Sequence, residues 1–482
     1  MDIFSLHKLT LTTKTLSLIT IVFIFLAFWY KTSIFLDPDF GWEIRMGQYI
    51  LKNGIPYTDP LSYTMPSYPI IAHYWLSSSL ITRIYPVFGY VGLAGIVSCF
   101  SLLAMLILVP RKGFSLSLIP LLLATSGLFS YASVRPHFFT WLFLAFIFRI
   151  TTDKMLWKKY CWYIPLLFIL WTNIHGGFAA GLFLILIKLI VDAWHEKKIN
   201  KQIALISTLS IVATFINPYG IYVWREIFIT IFDPGTRIGI NEWQPFISRL
   251  SLIHAPVLVL PLVLFARYFR SFTLLEKCFF VILLINGFSS SKMYPMWLLY
   301  SIYFSTKGLL FLTYEVKNNK IASQKLNIIL SCLLIIAGTY TSTYGFRVYT
   351  IYKQLSEERF YPKKAVEFIK LHPTQGHIFS SFSWGGYVLW KLPEHKTFVD
   401  GRMPHWENQN ASNSESKKAI DDFQKILKTE LAFDNIASKY TIDTLLLPKE
   451  YRKKFKKFFL TLKKDDWKTI YEDDISTILR KD

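Results

Sequence analysis

The chain has 482 residues, of which 52% are hydrophobic, 17% aromatic and only 18% charged, a composition outside the range of soluble proteins of this length and typical of a polytopic membrane protein. The formal charge of +21 does not point to nucleic acid, because the basic residues fall in short clusters between apolar runs and in the C-terminal tail. Cys99, Cys161, Cys278 and Cys332 each lie in or beside an apolar segment, without metal-ligand spacing or a paired framework, which argues against zinc and disulfides.

Apolar windows of membrane-spanning length fall at 16–36, 88–110, 114–132, 136–151, 161–174, 177–194, 203–217, 252–269, 277–291, 295–314 and 326–346, about eleven spans in all. No small-residue cleavage site follows the first run, which therefore reads as a retained helix and not a signal peptide. Basic clusters at Lys8 and Lys14, Arg111 and Lys112, Lys154 with Lys158 and Lys159, Lys197 with Lys198 and Lys201, Arg270 with Lys277, and Lys317 with Lys320 and Lys325 fall on every second side. That alternation fits the positive-inside rule in a cytoplasmic (inner) membrane, with a cytoplasmic N-terminus and everything after about Gly345 outside.

The reading divides the chain into a membrane domain at 1–349 and an extracytoplasmic α/β domain at 350–482. In the latter, "YPKKAVEFIKLH" has helical apolar spacing, "GHIFSSF" and "KTFVDGR" read as short strands, "IDTLLLP" as a buried strand and "KEYRKKFKKFFLTLKK" as a basic amphipathic helix. The outer side carries the first loop 37–87, the loop 218–251 and several short turns, and most residues suited to chemistry gather there.

The first loop opens "LDPDFGWEIR". Asp37 and Asp39 stand where the first span ends; carboxylates there face the negative end of the helix dipole, a placement that structure alone does not favour. An amphipathic helix ended by Asn53-Gly54 follows, then the ordered loop "DPLSYT", and His73 opens a second amphipathic helix.

The Asp-x-Asp after a first span, the Asn-Gly helix end and "DPLSYT…HYWL" resemble the first external loop of the GT-C superfamily of integral membrane glycosyltransferases, bacterial multispanning members in particular. "DPDFGWEIR" is similar to the Asp-Pro-x-x-Asn-Tyr-Arg motif of oligosaccharyltransferase catalytic subunits. Gly41 and Glu43 stand where the bacterial pattern has Trp and His, and Tyr74 where it has Glu. The resemblance continues through "VRPHFFTWLF", "LWTNIHGGFAAG", "INPYG", "INEWQPF", "SSSKMYP" and "SWGGYVLWKLPEHKTFVDGR". It implies a GT-C-like membrane fold, an outward-facing site, a sugar donor on polyprenyl phosphate and an external C-terminal domain.

An outward-facing transferase is cut off from cytoplasmic nucleotide sugars, so a donor delivered within the bilayer suits it; the acceptor would be a glycan, a lipid or a protein. One carboxylate takes the acceptor's proton while the departing lipid phosphate meets positive charge or hydrogen-bond donors. Asp39 is the expected base with Asp37 beside it. Arg135, His137, Asn173, His175 and Lys292 are the candidates for the phosphate, and Glu43, His73 and Glu242 for substrate contacts. A divalent cation, Mg or Mn, is left open at Asp37 and Asp39. The alternatives are a flippase for lipid-linked saccharides, which would carry ionisable residues near mid-bilayer, and a non-catalytic envelope-assembly protein.

Overall fold

The computed structural model describes residues 3–233, 240–250 and 254–481. Each of the eleven apolar windows carries a helix, so the chain is a polytopic α-helical membrane protein with a small sheet near its C-terminus. Among the described residues, five helices are long and apolar enough to cross a membrane: Lys14–Ile34, Trp75–Ile107, Phe114–Tyr131, Phe178–Glu196 and Lys320–Leu355. Of the loop expected over 218–251, residues 234–239 and 251 lie outside the described residues.

The chain forms two compact units. The first gathers Met1–Ser33, Tyr90–Gly220 and Ile240–Ile351. Its described elements are all helical, and one of them, Tyr294–Val316, buries Trp297, Leu298 and Phe304. Leu18, Ile190 and Ile335 stay exposed, as side chains facing lipid do.

The second unit gathers Ile34–Gly89, Ile221–Gly239 and Tyr352–Asp482. Its sheet has four strands, β1 (His377–Ser380), β2 (Ile442–Pro448), β3 (Trp467–Glu472) and β4 (Ser476–Lys481), in the order β1-β2-β4-β3. β1 runs parallel to β2, and β4 pairs antiparallel with both β2 and β3. A turn at Asp473, whose carboxylate accepts the backbone N–H groups of Ile475 and Ser476, closes the β3–β4 hairpin. "KTFVDGR" does not form the expected strand. Its Thr397 makes one parallel bridge to Ser62, after which Asp400 turns the chain by accepting the Arg402 N–H. The basic helix is also interrupted, at Phe455, between Tyr451–Lys454 and Lys456–Lys464.

The core of this unit is shared between distant segments. Trp42, Met46 and Ile50 from the helix Phe40–Asn53, and Leu61, Met65 and Ile70 from the loop after it, pack with Phe379, Phe398, Met403 and Leu445. The helix Phe40–Asn53 ends at Gly54, whose φ of 84° suits glycine. The helical run Trp75–Ile107 breaks at Gly89, φ 61°, between the amphipathic helix opened at His73 and the span that follows.

Candidate functional site

The acidic motif is a tight turn. The Asp37 carbonyl accepts the Phe40 N–H at 3.1 Å, and its carboxylate accepts the Asp39 N–H at 3.0 Å. Asp37 is thereby buried, while Asp39 is partly exposed at the head of the helix Phe40–Asn53. The Asp39 carboxylate accepts the Trp42 indole N–H at 2.9 Å, one helical turn on. It also lies against the "DGR" turn: a Cβ at Gly401 would stand 2.4 Å from Asp39 Oδ1.

That turn is fixed by a buried ion triad. Arg402 grips Asp400 with two hydrogen bonds of 2.9 and 2.7 Å and reaches Asp59 of "DPLSYT" at 2.5 Å. All three side chains are almost inaccessible, and Arg402 also lies over the Trp406 ring. Asp59 in addition accepts the Ser62 N–H, and Thr64 donates to the Phe398 carbonyl. The two motifs are therefore partners in one structure, and their polar groups are spent on each other.

Gly41 belongs to the same construction. A Cβ there would lie 2.1 Å from the Gly386 carbonyl oxygen, so the helix Phe40–Asn53 meets the helix Gly385–Lys391 backbone to backbone. "SWGGY" thus serves close packing, and the tryptophan of the bacterial pattern has no room at position 41. Glu43 is buried at 2% exposure. His73 packs edge-on to Tyr74, and Tyr74 edge-on to Trp42, which links His73 to Asp39 through two aromatic rings.

In the first unit, three candidates come together. Arg135 pairs with Glu242 at 3.1 Å, Lys292 approaches the same carboxylate at 4.0 Å, and the Lys292 N–H donates to the Glu242 carbonyl. The Lys292 ammonium also sits over the Trp243 ring at 4.8 Å. The Arg135 guanidinium, assisted by Lys292, holds the Glu242 carboxyl at about 2.

His137, two residues beyond Arg135, bonds the Tyr131 carbonyl at 3.0 Å. His175 is held by a relay: the Trp171 indole donates to Thr140 Oγ1, which lies 2.8 Å from His175 Nδ1, and the Gly177 N–H donates to the same nitrogen. With Nδ1 accepting, the neutral ring carries its proton on Nε2. Asn173 is instead a stitch, its amide donating to the carbonyls of Ile169 and Ile216.

Sequence reasoning missed Lys31, which is buried and donates to the Ala132 carbonyl of "YASVRPH". Its signal was a lysine at the end of the first span away from the basic clusters. It also missed the Asp59–Arg402 pairing, for which spacing gives no cue. Among the described residues no group of three or more His, Cys, Asp and Glu side chains could hold a metal. Asp37 and Asp39 therefore fit only the open kind of divalent-ion binding, shared with water and substrate phosphate.

No protein-family model matches the chain, and no curated protein matches it in sequence. Its structure is similar to ArnT from Cupriavidus metallidurans bound to undecaprenyl phosphate, with a TM-score of 0.52 at 11% identity over 98% of both chains. The apo state of that protein gives 0.51 over the same shares. The Archaeoglobus fulgidus oligosaccharyltransferase, in complex with Zn and sulfate, gives 0.54 at 11% identity over 93% of this chain and 71% of that one. The chain shares the fold of ArnT and of the oligosaccharyltransferase.

Proposed function

We propose that the protein is a membrane glycosyltransferase that moves a sugar from a polyprenyl-phosphate donor to a glycan, lipid or protein acceptor on the outer face of the inner membrane. The observation that carries this reading is the Asp39 carboxylate, held at a helix head by the Trp42 indole and against Gly401, in a chain with the fold of ArnT.

Asp39 accepts the proton of the acceptor hydroxyl as its oxygen attacks the anomeric carbon. The bond from that carbon to the lipid phosphate breaks, and the phosphate leaves as an anion. Arg135 and Lys292, with the Nε2–H of His175 as a hydrogen-bond donor, are the groups suited to that anion; His137 already spends its Nε2–H on the Tyr131 carbonyl. Asp37 fixes the turn that presents Asp39. A divalent ion, if held by Asp37 and Asp39, would add positive charge beside the leaving phosphate.

The test is release of polyprenyl phosphate by the purified protein supplied with defined polyprenyl-phosphate sugars. Asp39→Asn should abolish it. Turnover that survives Asp39→Asn combined with Asp37→Asn would sink the assignment, and donor left intact while lipid-linked saccharide crosses proteoliposomes would favour a flippase. For orientation, a cysteine at position 410 should label from outside and one at position 198 from inside.

A further inference from the structure

The helix Lys456–Lys464 of the second unit has two faces with different employment. Phe458 and Leu462 are buried in the unit's core, and Phe455 and Phe459 pack against it. The other face carries Lys456, Lys457, Lys463 and Lys464, all exposed. At about 100° per residue these four lie within an arc of about 120° centred on Leu460, and Leu460 is 53% exposed. Nearby, Lys449 and Arg452 both pair with Glu472. Among the described residues, none of the four lysines has a carboxylate within ion-pair reach. Lys453 and Lys454, just before the break at Phe455, extend the charge.

We propose that this face is a peripheral membrane contact, in which the four lysines engage the phosphate headgroups of anionic lipids around an inserted Leu460. Charge alone would suit any polyanion. The exposed leucine at the centre of the lysine ring favours a bilayer, which has an apolar layer beneath its phosphates, over a phosphate polymer, which has none. The bilayer is also always at hand, since the unit's segments continue directly into the apolar helices Lys14–Ile34 and Lys320–Leu355.

The test is lysine acetylation of the full-length protein in nanodiscs, read residue by residue by mass spectrometry. Replacing phosphatidylcholine with a phosphatidylglycerol mixture should slow Lys456, Lys457, Lys463 and Lys464 by about fivefold, the weight of one lysine at an anionic surface. The exposed Lys364 and Lys428 should not change. High salt or Leu460→Glu should restore the rates. Equal rates in the two bilayers would overturn the proposal, as would protection that appears only when a soluble phosphodiester polymer is added to phosphatidylcholine nanodiscs.

Discussion

Gly41 and Gly386 pack so closely that a single methyl on Gly41 would stand 2.1 Å from the Gly386 carbonyl oxygen. The obstacle is backbone, which has little room to yield. Gly41→Ala should therefore destabilise the second unit by about 1–3 kcal/mol or more, seen as a lower thermal midpoint in detergent. Gly338→Ala, on a helix where an added Cβ meets nothing within 4 Å, should be neutral or stabilising by up to about 1 kcal/mol.

Arg402 answers two buried carboxylates. Replacing it with Ala leaves Asp59 and Asp400 as uncompensated buried charges and should cost about 3–5 kcal/mol. Arg402→Lys keeps the charge but not the two-pronged grip on Asp400, so it should fall between wild type and Arg402→Ala in denaturant midpoint. Equal stability of all three proteins would refute the role given to the triad.

Trp42→Phe keeps a ring against Tyr74 but removes the N–H that Asp39 accepts. A hydrogen bond to a carboxylate contributes about 1.5–3 kcal/mol, so kcat should drop about tenfold or more with the KM for donor little changed. A change in KM alone would mean that the indole serves binding and leaves the base untouched.

Glu242 gives the first unit a pH dependence of known sign. Its carboxyl is held at about 2 by Arg135 and Lys292, below the usual carboxylate value, so its contribution to stability is complete above the ordinary carboxylate range. That contribution disappears as pH falls toward 2. Glu242→Gln should abolish this part of the acid sensitivity in melting curves from pH 6 to pH 2. The same variant removes one carboxylate from beside Arg135 and Lys292, and polyprenyl phosphate should bind it more tightly and leave it more slowly.

The spans, the helix after the acidic motif, β1 and β2 were legible in the sequence because each rests on local periodicity and local stops, such as Asn53-Gly54. β3 escaped notice because its residues are mostly exposed and lack alternation, as in Lys468, Thr469 and Ile470. "KTFVDGR" was misread because its apolar residues answer the loop at Leu61–Thr64 and not a neighbouring strand. The grouping of Arg135, Glu242 and Lys292 was only half legible: each residue stood out, but the Arg135–Glu242 contact joins positions 107 apart. Gly41 looked like a departure from the family pattern, and its reason lies in Gly386, a residue with which it shares no sequence neighbourhood.

The Asp59–Arg402 contact joins positions 343 apart, and this separation bears on how the chain is made. At about 5–20 residues per second, something like 17–70 seconds of translation separate the two ends of that bond. Throughout this interval Met46, Ile50 and Leu61 have none of their tail partners Phe379, Phe398 and Leu445. Until the tail is made, the loop's apolar side chains therefore lack the surface that covers them in the finished unit, so truncating the chain before Phe379 should leave the loop open to limited proteolysis.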